Sequence, residues 1–499
     1  EVVMLLWFGR HQWYFFDEWH LVVERVVPKP DGPVELFQLL FRPDGEHVIG
    51  LPLALFVVLV RWFGIGNYWP FVVVNILVRV GTLVLVDDVC RRLGARRMAR
   101  LLAVATIAFF GAGYESLFAQ SVMFAGFTLV FALLAIRASV NSDLAERRAG
   151  IVSAAWLTCS VLSSGYGFPV VVGVALFYLL TSRRLAAIVS LLVPPIVFMV
   201  VRVASGGDYA QQQPISTARV PLYIQYVQAG LSAVGDAITG LNVGLAAFIG
   251  LVAISLWLVT EARSRSFIIA MVVAIVAFYF EASLSRSVFG AEQARVATRY
   301  TFFCGVLAIL MLAAAWGQRR VESRWATIIA LLVAVSFANN VSGLGDGSKY
   351  YADRMEVSRV RLALGLEIIA RGVPFDAPDP EWAADLNGTR LGAVMESPYD
   401  DEFMNEARAC YRHWDDELTR GGVTADAATD TQRAALMVLM NEHSLGIGDP
   451  KATLDELVAL AGDNAGGSGV FAQFQQTYVD LSSVSVSTPG FVPTTQRCG

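Results

Sequence analysis

Arg91-Arg92-Leu93-Gly94-Ala95-Arg96-Arg97-Met98-Ala99-Arg100 decides the fold, because five arginines in ten residues separate two long apolar runs. A helix that crosses lipid needs roughly 20 apolar residues, and arginine-rich breaks between such helices stay in the cytoplasm. Outward from this break, apolar runs lie at 69–87 and 101–113, then at 121–138, 151–163, 168–181 and 185–203. Others follow at 240–260, 267–284, 300–316 and 325–341. Residues 2–8 read as the end of a further span, clipped at Glu1, so about eleven transmembrane helices are expected. The expected class is therefore an all-α polytopic membrane protein.

Composition agrees. The chain of 499 residues is 55% hydrophobic and 16% charged, with a mean hydropathy of +0.54. Soluble domains carry about 25% charged residues, and the deficit here falls within residues 1–341. The net charge of -5 says little by itself, because the basic residues are sorted by location. No nucleic-acid partner is expected. The five cysteines show no metal-ligand spacing. Cys410 and Cys498 lie in the polar tail, where a disulfide between them would fit an extracytoplasmic compartment.

Arginine sorting sets the orientation. Arg147 and Arg148, Arg183 and Arg184, Arg263 and Arg265, and then Arg319, Arg320 and Arg324 fall in every second break. The alternate short breaks at 111–120 and 163–167 carry no Arg or Lys. This alternation holds only if the short apolar run at 48–63, interrupted by Gly50 and Pro52, lies along the membrane surface instead of crossing it. Residues 10–68 then form one long outer loop with two juxtamembrane helices. Residues 204–239 and 285–299 are expected as outer loops too. A mainly helical extracytoplasmic domain is expected over 342–499, with helices at about 352–371, 401–420, 430–443 and 452–462.

Candidate chemistry gathers in the outer breaks. Phe15-Phe16-Asp17-Glu18-Trp19-His20 places two acids beside a bilayer, where a carboxylate must face water or have a task. Asp17 and Glu18 are solvated caps or a general base whose apolar surroundings tune its pKa. The aromatic residues around them suit a headgroup belt or a groove for a lipid chain or sugar, and the sequence supports both. Arg42-Pro43-Asp44-Gly45-Glu46-His47 opens the surface helix. A guanidinium such as Arg42 suits a phosphate through paired, charge-assisted bonds. Arg299 and Tyr300 stand where an outer loop re-enters the membrane, as a snorkelling pair or as phosphate donors. Glu115 and Gln120 lie in an arginine-free outer break. No Gly-rich phosphate loop, Cys/His metal set or GxSxG elbow is present in the sequence.

In order, these features resemble the GT-C fold glycosyltransferases. The features are a first span, an outer Asp17-Glu18, a basic turn Arg42-Pro43, a surface helix ending near Phe63-Gly64, and a span closing on Arg91-Arg92-Leu93-Gly94. The resemblance covers residues 1–140 in motif order and the spans to 341 more loosely. It is to polytopic enzymes that take a sugar from a polyprenyl-phosphate donor, such as protein O-mannosyltransferases and aminoarabinose transferases. It implies that Asp17 takes the acceptor's proton with Glu18 beside it, and that Arg42, Arg299 and Tyr300 face the donor phosphate. His20, Glu46, His47, Glu115 and Gln120 would then contact substrate. Many relatives carry Asp-Pro at the start of the fourth span, where this chain has Gln120-Ser121. No nucleotide is implied; some relatives use a divalent metal ion, so one is admitted as a cofactor. The implied partners are a polyprenyl-phosphate-linked sugar, membrane lipid, and an extracytoplasmic glycan, lipid or protein acceptor, at the plasma membrane.

Two other readings remain at this level. One is a catalytically silent GT-C-like scaffold of an envelope assembly. The other is a lipid or solute transporter, which should show an internal repeat; none is seen. The orientation itself is testable. A cysteine at Arg97 should be shielded from a membrane-impermeant maleimide in intact cells, whereas one at Gln212 should react. The reverse pattern would invert the assigned topology.

Overall fold

The computed structural model describes residues 2–9, 21–26, 28–43, 47–118, 123–206, 216–316, 323–372 and 398–420, together with Gln12, Tyr14, Glu18, Arg433 and Met437. Every regular element among the described residues is helical. The first helices are α1 (Val2–Gly9), α2 (Pro33–Phe41), α3 (Gly50–Phe63), α4 (Trp69–Arg92), α5 (Arg97–Ala108) and the short α6 (Glu115–Phe118). Next come α7 (Met123–Ser139), α8 (Glu146–Val161), α9 (Phe168–Leu180), α10 (Arg184–Ser205), α11 (Val220–Thr239) and α12 (Leu245–Leu258). The last are α13 (Ala262–Arg286), α14 (Gln293–Val296), α15 (Thr298–Trp316), α16 (Ser323–Ala370) and α17 (Pro398–Arg420). Among the described residues, four segments are long and apolar enough to cross a membrane: Trp69–Arg92, Arg184–Ser205, Ala262–Phe289 and Thr298–Trp316. They mark the chain as a membrane protein.

The chain divides into two compact units. One holds Glu1–Arg10, Pro30–Phe56 and Phe71–Tyr350; the other holds His11–Lys29, Val57–Pro70 and Tyr351–Gly499. In the first unit, α15 is the central helix. Every residue of it is buried except Arg299, Leu312 and Trp316, which are partly so. Helices α5, α11, α12 and α13 pack around it. Polar residues of α4 share its buried face at helical spacing, at Asn75, Arg79 and Thr82. Asn75 donates to the Leu117 carbonyl at 2.7 Å, and the Arg79 guanidinium lies 3.9 Å above the Phe302 ring of α15. The basic end of α4 is held by Asp88, which accepts from Arg92 at 2.9 Å and also pairs with Arg91 and Arg137. Gly94 then adopts φ +78°, and the Ala95 amide returns to the Cys90 carbonyl at 3.0 Å, closing the helix as glycine C-caps do.

Two segments differ from the sequence expectation. Residues 220–239, expected within an outer loop, form the 20-residue helix α11. Pro221 starts it and left-handed Gly240 ends it. Tyr223, Tyr226, Gly230, Leu231 and Val234 form its buried stripe, while Gln225, Gln228 and Asp236 dilute the hydropathy that flags a span. The second is α16, one helix of 48 residues where a span ending at 341 and a separate tail helix were expected. At about 1.5 Å per residue it reaches roughly 72 Å, more than twice a hydrocarbon core of about 30 Å. Gly343, Gly345 and Gly347 lie within it. In the structure, Gly343 and Gly347 bring α16 against Gly111 and Tyr114, and a Cβ on Gly347 would fall 2.3 Å from the Tyr114 ring. Asn340 locks this contact. Its side chain accepts from the Ala112 amide at 3.0 Å and donates to the Ala237 and Ser336 carbonyls, each at 2.9 Å.

This packing predicts opposite effects for two glycines. A Cβ on Gly111 would lie 1.7 Å from the Asn340 carbonyl oxygen, whereas one on Gly81 meets nothing within 4 Å. Gly111→Ala should cost about 3 kcal/mol or more by overpacking. Gly81→Ala should be neutral or stabilising by up to about 1 kcal/mol, as for a helix-interior glycine. Thermal unfolding of the detergent-solubilised protein reads both.

Candidate functional site

In the first unit, the site is built on the start of α15 and the two turns packed against it. Thr298 begins α15, and its hydroxyl accepts from the Glu115 amide at 3.1 Å. The Glu115 carboxylate in turn accepts from the Arg299 amide at 3.2 Å and forms an ion pair with the Arg299 guanidinium. Backbone and side chain are thus clamped by one carboxylate, which fixes α6 to the mouth of α15. Glu115 is 14% exposed and Arg299 27%, so solvent screens the pair only in part.

Tyr166 joins this clamp to a second set of groups. It lies on the turn Gly165–Gly167, which Ser164 caps by accepting from the Tyr166 amide. The Arg299 charge and the Tyr166 phenol are electrostatic neighbours, and the Arg299 guanidinium lies 5.2 Å from the centre of the Tyr300 ring. The Tyr166 ring meets Tyr300 edge-on at 5.6 Å and His47 edge-on at 5.3 Å, with Phe278 and Phe303 beside it. Tyr300 is buried, whereas His47, Tyr166 and Arg299 are each partly exposed. Below His47 the chain has Gly165. A Cβ there would stand 2.9 Å from His47 Nδ1 and 3.3 Å from Glu281 Oε1, so imidazole and carboxylate press onto the same point of bare backbone. Cation, phenol, imidazole and carboxylate stand together here, a set suited to holding an anion and moving a proton.

The second unit contains its own polar cluster. Glu18 is fully buried and accepts from the Tyr68 hydroxyl at 3.1 and 3.2 Å to its two oxygens. Tyr14, also fully buried, meets the Tyr68 ring edge-on at 4.9 Å and donates to the Gly64 carbonyl at 3.4 Å. Asp400, in the first turn of α17, accepts from the Ile65 and Gly66 amides at 2.9 and 3.1 Å. Gly64 turns there with φ +68°, and any side chain on it would run into that carboxylate. Arg61 donates to the Pro28 carbonyl at 2.9 Å. Burial pushes the Tyr68 and Tyr14 phenols well above the ordinary tyrosine value, and the neighbouring Glu18 adds to the rise in both.

Of the residues singled out from sequence, His47, Glu115, Arg299 and Tyr300 come together in the first unit. Arg42 closes α2, its amide donating to the Gln38 carbonyl at 2.8 Å. Glu18 belongs to the second unit. Asp17, His20, Glu46 and Gln120 lie outside the described residues, as do the helices expected at 430–443 and 452–462 apart from Arg433 and Met437. Sequence reasoning missed Tyr166 and Glu281. Tyr166 had a signal, since it sits in an arginine-free break; Glu281 is one acid near the end of an apolar run. Among the described residues, no group of three or more His, Cys, Asp or Glu is arranged to hold a metal ion. Cys410 is disulfide-bonded, and Cys498, the partner expected for it, lies outside the described residues.

Compared with protein-family models, with curated proteins and with solved structures, the chain matches none.

Two outcomes follow from these clusters. A double-mutant cycle on Glu115→Gln and Arg299→Gln should give a coupling of about 2 kcal/mol in unfolding free energy, as for a half-buried charge-assisted pair. Additive effects would show that the clamp contributes nothing. Because their folded pKa values are raised, Tyr14 and Tyr68 contribute stability that is complete below about pH 10 and is lost as pH rises through the raised values. Tyr68→Phe should therefore reduce the alkaline loss of stability, read as the melting temperature between pH 8 and pH 11.

Proposed function

We propose that this protein is an inverting membrane glycosyltransferase with a GT-C-like arrangement of about eleven spans. It moves a hexose or pentose from a polyprenyl-phosphate donor to an extracytoplasmic glycan, lipid or protein acceptor. The observation that carries the reading is the meeting of Arg299, its Glu115 clamp, Tyr166, Tyr300 and His47, drawn from four separate stretches, at one end of a buried helix. A guanidinium has five N–H donors in a rigid fork, so its pairing with Glu115 does not exhaust it. Its part would be to neutralise the lipid phosphate as that group leaves, where charge develops in the transition state. Position suits this: the cation stands in the first turn of an apolar helix long enough to cross a membrane, and arginines at such helix ends reach toward lipid headgroups. The disulfide at Cys410 suits a tail that folds in an oxidising compartment, on the extracytoplasmic side. Acceptor attack also requires a base, for which Asp17 is the candidate from sequence.

The test is sugar transfer in proteoliposomes supplied with polyprenyl-phosphate hexose or pentose. Wild type should transfer, and Arg299→Ala should lose about 100-fold or more in kcat/KM, the scale of one lost transition-state donor. A wild type that transfers no sugar would favour the silent scaffold, and an active Arg299→Ala would remove the phosphate assignment.

A further inference from the structure

The far end of α15, away from Arg299, borders a cavity of about 200 Å³. Its walls also come from α5, α11, α12 and α16, all within the first unit. On α5 the wall runs from Ala99 to Phe109. At about 1.5 Å per residue that stretch rises about 15 Å, half of a hydrocarbon core of about 30 Å and so the depth of one leaflet. Ile254 of α12 and Phe337 of α16 line the cavity and are also exposed, so it opens on the outer surface of the helix bundle. The lining is apolar except for Thr106, Thr239, Ser336 and Asn340. Thr239 donates its hydroxyl to the Gly235 carbonyl at 2.8 Å, and the Asn340 amide is taken up by the backbone of Ala112, Ala237 and Ser336. A buried water needs about two to four polar partners, and an apolar cavity of about 150 Å³ stays dry and takes a hydrocarbon. The space is therefore one for an apolar chain.

Charge indicates which lipid supplies it. Ala99, Leu258 and Trp316 line the cavity where α5 begins and where α12 and α15 end. Arg96 and Arg97 stand at that start of α5, both exposed, and among the described residues neither makes an ion pair. Arg263 and Arg265 follow Leu258 in the chain, and Arg319 and Arg320 follow Trp316. An indole at such a helix end suits the headgroup layer, and arginines gathered beside a membrane crevice attract anionic headgroups. The candidate donor site is elsewhere: at about 1.5 Å per residue, Arg299 lies about 26 Å along α15 from Trp316. We propose that the cavity takes one acyl chain of an anionic phospholipid, whose phosphate meets Arg96 and Arg97. The chain fills the dry space, and the phosphate supplies the counter-charge that the start of α5 lacks. This site goes beyond the glycosyltransferase reading and does not depend on it.

Photo-crosslinking of the full-length protein in detergent tests the assignment. The probe is phosphatidylglycerol with a diazirine in one acyl chain, compared with phosphatidylcholine carrying the same chains. Phosphatidylglycerol should label the segments 99–109 and 309–316. Its apparent affinity should exceed that of phosphatidylcholine by about tenfold or more, the scale for two arginines at a membrane surface. Arg96→Gln combined with Arg97→Gln should erase that preference. Thr106→Trp, which places an indole in the α5 wall, should abolish labelling of both segments. Both arginines are exposed, so the double variant reads the headgroup contact even where Thr106→Trp fails to fold. Equal labelling by the two lipids, a preference that survives the double variant, or labelling confined to other segments would overturn the proposal. Displacement of phosphatidylglycerol by polyprenyl phosphate at equal concentration would overturn it too, and would make the cavity a seat for the donor's chain. Sugar transfer is not needed for any of these readouts, so they stand or fail apart from the Arg299→Ala assay.

Discussion

A guanidinium at the mouth of a buried helix must be paired, and the pairing of Arg299 with Glu115 is the constraint on which the rest of the first unit's site depends. Helix α15 is packed on all sides, so its first turn has no freedom to turn a charge away from its neighbours. Glu115 binds both the amide and the side chain of Arg299, and Thr298 returns a bond to the Glu115 amide. With the cation so fixed, Tyr166 lies beside it, its ring edge-on to both Tyr300 and His47. Breaking the clamp would loosen each of these in turn.

Close approach of backbones is the second requirement, and glycine supplies it. Helices in lipid gain little from hydrophobic burial against one another, so they depend on dispersion contacts and on hydrogen bonds between helices. Gly111 and Gly347 let α16 reach the turn before α6, where Asn340 can satisfy three backbone groups at once. Gly165 does the same for the imidazole and carboxylate that rest on it. Scaffold and site use one device, a missing Cβ where two chain segments meet.

Much of this was legible from sequence. Apolar runs fell within one to a few residues of α7, α9, α10 and α15, because burial in lipid or core needs a continuous apolar length. Residues 220–239 were misread because polar side chains on one face of α11 lower its mean hydropathy, although its buried stripe is regular. Glycine weakens an isolated helix, but Gly347 inside α16 packs against Tyr114, and that contact outweighs the propensity. At the site, Arg299, Tyr300, Glu115 and His47 were visible as polar residues where apolar runs begin or end. Tyr166 and Glu281 were not, since a tyrosine or a single acid at the end of a span has many ordinary uses.

The sequence by itself determined that the chain is helical and suited to a membrane, and which polar residues stand at the ends of its apolar runs. Those properties depend on composition and period along the chain, which a sequence displays directly. Only the tertiary structure decided that His47, Glu281, Tyr166, Arg299 and Glu115 share one place, and that Glu18 is buried among Tyr14, Tyr68 and the turn held by Asp400. Those juxtapositions join residues 50 to 335 positions apart. They depend on which helix faces meet and where a glycine admits close contact, and neither is written in the local pattern.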